Sequence, residues 1–403
     1  MTEEAKNGAP DYDVIVVGGG PSGATAADDL AREGYHVMLL DKAGRIKPCG
    51  GAVPPRLMKD FNIPHSLLVA HAHSARIIAP SNRKVTMPVG DGFVGMVDRD
   101  QFDEWLRDRA AQSGACRITG KCEDVTTDAA GLAAVTFRSD RSSGSKTVTA
   151  RAVIGADGAR SRVAQKCLPD AERVPCVFAY HEVVKVPETI DADYQEDRCD
   201  VYYQGHLSPD FYAWVFPHGK HMSIGLGSAN KGFPLRETTR LMREQTGFAH
   251  WETVRKEGAP IPLKPLKRWD NGRNVVVAGD AAGVVAPSSG EGIYYAMTAG
   301  RMSAQAVGLF LQTGDARALG TARKSFMKAH GRVFWILGMM QYFWYKNDKR
   351  RERFVKMSDD PDVQRLTWEA YMNKELVKRD PLAHVKIFFK DLGHLFGLKA
   401  VER

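Results

Sequence analysis

At 403 residues, 43% hydrophobic and 26% charged, the chain has the composition of an ordinary globular protein with one large core or two interlocked ones. Its six cysteines show no C-x-x-C spacing and no histidine partnering, which argues against a zinc site or a disulfide framework and predicts free thiols. The net charge of +8 is local: residues 1–320 hold 38 basic and 38 acidic side chains, whereas residues 321–403 hold 18 basic and 10 acidic, with no recognised nucleic-acid module beside them.

Met1 to Pro10 is polar and lacks an apolar signal core, so a cytoplasmic protein is expected. Tyr12 to Val17 then reads as a buried strand, Gly18-Gly19-Gly20-Pro21-Ser22-Gly23 as a tight turn, Ala24 to Arg32 as a helix, and Tyr35 to Asp41 as a second strand ending in an acid, followed by Lys42. This order is the dinucleotide-binding fingerprint. Gly18 makes the turn, Gly20 lets a pyrophosphate approach, Gly23 packs helix on strand, and Asp41 faces a ribose hydroxyl.

Ser74 to Ala79, Lys84 to Val89 and Phe93 to Val97 read as strands of a second, substrate-facing unit, and Arg99 begins a helix. Arg138 to Ser145 is a polar loop between strands. Ala152 to Ala156 forms a strand running into Asp157-Gly158, where Asp157 is suited to cap the following helix. Asp200 to Tyr203 and Phe211 to Phe216 read as strands, so side-chain alternation predicts Tyr212, Trp214 and Phe216 on one face and Phe211, Ala213 and Val215 on the other.

Further on, Asn274 to Ala278 delivers Gly279 and Asp280 to a glycine-rich turn, and Gly290-Glu291-Gly292-Ile293 opens a long Ala/Met/Tyr-rich helix. Backbone without side-chain clearance, with a carboxylate between, suits a polyol-bearing cofactor lying against a helix N-terminus; FAD is the obvious candidate. Val333 to Tyr345 is apolar and aromatic, too short to span a bilayer, and followed by Lys346, Lys349, Arg350, Arg351 and Arg353. That pattern fits either an interfacial segment drawn to anionic lipid or a buried helix with solvated neighbours. Phe388, Leu392, Leu395 and Phe396 recur at helical spacing as a core or docking face.

Taken together, the three cofactor segments and Arg99 to Leu106 resemble, over roughly residues 11–310, the flavoprotein group of aromatic hydroxylases, halogenases and geranylgeranyl reductases, in which the segment matching Asp157-Gly158 lies near the cofactor pyrophosphate. The hydroxylases usually carry His and Gln where this chain has Gly283 and Glu291. Cys49-Gly50-Gly51-Ala52, Tyr212 to Pro217 and the run Val385 to Leu392 are similar instead to the geranylgeranyl reductases of the chlorophyll and bacteriochlorophyll branch. The resemblance implies an α/β fold: a Rossmann-type FAD domain (1–73, 98–178, 268–325), an inserted antiparallel β-sheet substrate domain (74–97, 179–267) and a helical C-terminal region (326–403).

It also implies FAD as cofactor and, although no second Rossmann unit is present to hold it, NADPH as electron donor, with ferredoxin the donor in other relatives of the fold. The substrate would be an isoprenoid on a diphosphate or a tetrapyrrole, met at the cytoplasmic face of a membrane. Isolated alkenes have no carbonyl to accept charge, so a hydride to one carbon requires a proton at the other. Cys49 is one proton donor, since a thiol buried in an apolar pocket keeps its proton; the Cys-Gly-Gly turn is otherwise a hinge and the thiol incidental. Tyr212, or water held by Glu291, are other donors, and Glu291 is otherwise only a favourable charge at a helix N-terminus. Two further readings stay open: an oxygen-consuming monooxygenase or halogenase of the same fold, and a non-catalytic pigment-carrying flavoprotein docked on a membrane.

Overall fold

The computed structural model describes residues 9–42, 46–139 and 144–374. The expected C-terminal features, Val385 to Leu392 and the spacing of Phe388, Leu392, Leu395 and Phe396, lie outside this range, as do the first eight residues.

Tyr12–Val17 is the centre of a seven-stranded sheet. It runs parallel to Val37–Asp41 on one side, with helix Pro21–Arg32 as the crossover, and parallel to the end of Ser145–Gly155 on the other. Ser145–Gly155 is 11 residues long and serves two neighbours: its first half pairs antiparallel with Ala133–Arg138, and its last three residues take Val275–Val277 in parallel. The register aligns Val17 with Gly155 and Gly155 with Val277. Three glycine-bearing turns therefore leave the sheet side by side, although they come from positions more than a hundred residues apart. Strand residues such as Val14, Ile15, Val16, Ile154 and Val276 are fully buried, as expected for parallel strands covered on both faces by helices.

A second seven-stranded sheet has the order Thr253–Pro262, Cys176–Lys185, His221–Ser228, Ala213–His218, Arg198–Tyr202, Ser74–Ile78 and Lys84–Pro88, antiparallel except for the pair Arg198–Tyr202 with Ser74–Ile78. One face buries Val184, Ala213, Val215, Met222, Ile224 and Leu226 with Met242 of helix Leu235–Thr246. The other carries Trp214 and Phe216 with Tyr212, toward the FAD domain.

Two expectations need correction. Val94–Val97 does not join this sheet; it forms a separate three-stranded sheet with Ala52–Val53 and Leu68–Ala72. The burial pattern gives the reason. Lys84–Pro88 alternates exposed and buried like an edge strand, whereas every residue of Val94–Val97 is buried and both its edges are paired. Phe211 is not opposite Tyr212, because the strand begins only at Ala213 and alternation does not reach back past it. The rings of Phe211 and Tyr212 stack at 4.3 Å and belong to the same aromatic cluster.

The Val333 to Tyr345 run lies within helix Thr321–Trp344 and its first following residue, and it has two faces. Phe334 is buried against Tyr295 and Phe326, and Tyr345 donates to the Ser288 carbonyl at 2.8 Å, while Trp335 and Tyr342, seven residues apart, are 64% and 78% exposed. The basic flank is also divided. Lys346, Lys349 and Arg353 are exposed, but Arg351 is buried and donates to the carbonyls of Pro209 (2.5 Å) and Tyr345 (2.7 Å) and to Asp348 (2.9 Å). Arg350 lies over the Phe343 ring at 4.3 Å. Arg351 thus ties helix Asp348–Met357 to the substrate sheet and is not part of a free basic surface.

Loss of Arg351 leaves the buried Tyr345 carbonyl and the partly buried Pro209 carbonyl short of a donor, each hydrogen bond to a charged group contributing roughly 1.5–3 kcal/mol. Arg351→Leu is expected to lower the thermal unfolding midpoint by several degrees, whereas Lys349→Gln leaves it within experimental scatter; equal midpoints for the two variants contradict this account.

Candidate active site

The dinucleotide turn is built by close contacts that only glycine permits. A Cβ on Gly18, whose φ is +106°, would meet the Ala156 carbonyl oxygen at 2.3 Å, and one on Gly23 would meet the Gly18 carbonyl oxygen at 1.8 Å. Gly20 differs. Its backbone is extended, with φ −73° and ψ −177°, and a Cβ there meets nothing within 4 Å. The space over Gly20 is bounded by the N-terminus of helix Pro21–Arg32 and by Ser22, whose buried hydroxyl has no hydrogen-bond partner among the described residues. Open backbone, a helix N-terminus and a spare hydroxyl suit a pyrophosphate. Gly279 closes the same turn from the third segment, since its Cβ would touch that of Ser22 at 2.8 Å.

Asp41 stands beside Gly19 and faces Arg107 at 3.3 Å. Burial raises its carboxyl above the usual range against the opposing effect of the Gly19 N–H and Arg107. Sequence reasoning missed Arg107, because a single arginine within an amphipathic helix carries no motif. Lys42 follows Asp41 at an exposed position. Of the two roles open to Asp157, the structure shows the helix cap: its carboxylate accepts from the N–H groups of Arg162 (2.6 Å) and Val163 (3.3 Å) and from the Ser161 hydroxyl, so it organises the start of helix Arg162–Cys167. The backbone of Ala156 and Asp157, not that carboxylate, packs on Gly18.

Beyond the dinucleotide turn lies a cleft of about 800 Å³ including its open mouth. Pro21, Asp280, Gly290, Gly292 and Ile293 line it from the FAD domain, and Tyr212, Trp214 and Phe216 from the substrate sheet. Cys49, Gly50 and Arg99 line it as well. Lys47 pairs with Asp280 and so ties the 46–51 loop to the third cofactor segment. Gly51, at φ +72°, lies close under the Val97 carbonyl and the His218 ring, where a Cβ would come within 2.5 Å and 2.6 Å. The tight packing of Gly51 fixes the loop rather than freeing it. Ala52 continues into the small sheet opposite Met96.

The surroundings of Cys49 are not the apolar pocket expected from the sequence. The thiol is half-buried and accepts the Gly51 N–H at 3.4 Å, with Lys47, Arg99, His181 and His218 around the same space. Burial opposes the charge on Arg99, but its bidentate pair with Asp103 (2.7 and 2.8 Å) and its interaction with the Cys49 sulfur hold it ionised. Tyr212 is not a free donor, since its hydroxyl donates to the Ser289 carbonyl at 2.5 Å, and burial pushes its pKa far up.

Glu291 is turned away from the cleft. Its buried carboxylate pairs with Lys374, whose ammonium lies 3.8 Å from the Tyr371 ring centroid. Burial raises the carboxyl and Lys374 opposes that rise. With that partner Glu291 is not a bare helix-end charge, and its other oxygen, Oε1, is buried with no hydrogen-bond partner among the described residues. No local pattern marks this pair, because its members are 83 residues apart.

The residues present fit FAD, and comparison with known proteins agrees. A family of FAD binding domains matches residues 11–325. Geranylgeranyl diphosphate reductase of Rhodobacter capsulatus is 55% identical over 96% of this chain and 98% of its own length, and that of Synechocystis is 34% identical over 95% and 97%. Among solved structures, a geranylgeranyl bacteriochlorophyll reductase-like protein from Thermoplasma acidophilum superposes with a TM-score of 0.77 at 22% identity, covering 92% of this chain and 99% of that one. The flavin-dependent brominase Bmp2 superposes at 0.73 and 14% identity, covering 96% and 100%, so the fold is shared across different chemistries. Near-full-length identity above 30% is what separates them, and the chain belongs to the geranylgeranyl reductase family of FAD-binding proteins.

Proposed function

We propose that this protein reduces isolated double bonds of a geranylgeranyl chain, carried on a diphosphate or esterified to a (bacterio)chlorophyll, toward phytyl. The observation that carries this reading is the cleft itself, where the ends of the cofactor segments face an aromatic wall of Tyr212, Trp214 and Phe216 with Cys49 between them. Apolar walls with few polar groups suit a hydrocarbon chain. FAD, when bound and reduced, supplies hydride to one alkene carbon; NADPH is the proposed source of those electrons. The protein's own residues do the rest. Lys47, held on Asp280, anchors the loop that presents Cys49, and the thiol donates the proton to the second carbon from Sγ. The protein works at the cytoplasmic face of a membrane, where Trp335 and Tyr342 enter the interface and Lys346, Lys349 and Arg353 meet anionic headgroups. Among the described residues no helix is long and apolar enough to cross a membrane.

Because a Cβ at position 20 meets no protein atom within 4 Å, Gly20→Val is expected to fold with an unfolding midpoint close to wild type in the cofactor-free state and yet to lose FAD on purification. Retention of stoichiometric FAD by this variant would place the pyrophosphate elsewhere.

Cys49→Ala is expected to keep FAD and its reduction by NADPH but to slow single-turnover reduction of geranylgeranyl diphosphate by about a hundredfold or more, the usual contribution of a positioned acid. Products are weighed by mass spectrometry, with diphosphate and pigment ester supplied separately. Wild-type rates in this variant leave the thiol without a role, and oxygen consumption in step with NADPH oxidation points to a monooxygenase instead.

Replacing the three exposed cations, Lys346, Lys349 and Arg353, by Gln is expected to weaken binding to phosphatidylserine vesicles on the order of a hundredfold, at about 1 kcal/mol per charge. Added salt should weaken wild-type binding likewise. Arg351 is left in place because it holds the fold together. Unchanged vesicle binding by the triple variant makes these side chains a solvated face only.

A further inference from the structure

One row of polar groups crosses the substrate sheet, and only its last member, Trp214, has a part in the reading above. Glu257 lies on Thr253–Pro262, the edge strand; His181 is directly opposite it on the next strand; Ser223 is on the third; Trp214 is on the fourth. They are joined in sequence. Glu257 Oε2 is 2.9 Å from His181 Nε2, His181 Nδ1 is 2.8 Å from Ser223 Oγ, and the Trp214 indole N–H donates to Ser223 Oγ at 3.1 Å. Gly225 makes the row possible: a Cβ there would meet the Cβ of His181 at 2.4 Å and the Trp214 ring at 2.7 Å.

His181, Ser223 and Glu257 line a smaller cleft that also contains Cys49, and His181 lines the large cleft as well. A buried histidine with a carboxylate on one nitrogen and a hydroxyl on the other can take and give a proton while the carboxylate holds its orientation. The Trp214 N–H occupies one acceptor position of Ser223 Oγ, so the hydroxyl proton is free to point to His181 or, when Nδ1 is protonated, away from it.

Building on the alkene reduction proposed above, we infer that the Glu257–His181–Ser223 row supplies the proton consumed in that reaction, passing it from the sheet edge to the Cys49 side of the cleft. The balance is simple. His181 loses one N–H proton, one C–H bond forms from it by way of the Cys49 thiol, and the hydride and its two electrons come from reduced FAD. Solvent at the edge strand restores the proton to His181. Glu257 is poised for this: burial favours its neutral form, but the hydrogen bonds from His181 and Arg255 hold its carboxyl below the usual range and keep it anionic.

The other groups facing His181 are of mixed charge. From the adjacent strands come Arg255 and His218, the latter neutral because burial lowers it to about 4. From the loop and helix opposite come Lys47, Asp98 and Arg99.

His181→Gln and the isosteric Glu257→Gln separate a proton supply from a structural role. Enzyme reduced anaerobically with dithionite is mixed with geranylgeranyl diphosphate, and flavin reoxidation is followed from pH 5.5 to 9. Wild type should slow as pH rises, because the reaction consumes a proton. His181→Gln should be slowed at least tenfold and lose that limb, with unchanged FAD content. In NMR of histidine-labelled protein, the downfield Nε2–H signal of a carboxylate-bonded imidazole should vanish in both variants. Variants that match the wild-type rate and pH profile overturn the inference alone; wild-type enzyme that leaves the alkene intact overturns the proposed function and this inference with it. If His181→Gln loses FAD, Glu257→Gln carries the same test.

Discussion

Everything at this site depends on one alignment: Val17, Gly155 and Val277 end their parallel strands level with one another. Parallel pairing points all three following turns to the same side of the sheet, and a ligand of an open α/β sheet binds beyond those carboxyl ends. The close contacts follow from that alignment. Gly18 must pass under Ala156, and Gly279 must pass beside Ser22, because the three turns share a space too narrow for side chains. A one-residue slip of Val275–Val277 would carry Asp280, and the Lys47 loop held by it, away from the dinucleotide turn.

The second sheet uses antiparallel alternation to divide its chemistry. Ala213 and Val215 face the helix-covered core, while Trp214 and Phe216 face the cleft, so a single short strand supplies both stability and a substrate wall. Along the same strands the polar row from Glu257 to Trp214 reaches from solvent edge to interior. Its groups are buried but paired, which removes most of the desolvation cost that an isolated histidine or carboxylate would carry.

The C-terminal helices complete the site from outside. Trp344 and Tyr345 join the aromatic cluster of Phe211, Tyr212 and Trp214, and Lys374 neutralises Glu291 next to the glycine pair that opens helix Ile293–Thr313. Burying such an ion pair stabilises little by itself, but removing either partner leaves an unpaired charge. The pair therefore fixes where helix Pro361–Asn373 ends relative to the cofactor side of the cleft.

The sequence alone determined the Rossmann fingerprint, the third cofactor segment and the family, because glycine spacing and strand hydrophobicity are local properties that survive in one dimension. It determined that Trp214 and Phe216 share the cleft-facing side for the same reason. Only the tertiary structure decided the rest. Phe211 joined the aromatic face because the strand starts at Ala213; Val94–Val97 left the large sheet because both its edges found other partners; Arg351 became an anchor and Glu291 a buried partner of Lys374. Cys49 meets Arg99 and His181 rather than an apolar wall. In each case the deciding neighbour is distant in the chain or depends on where an element begins, and a pairing of that kind leaves no periodicity in the sequence to read.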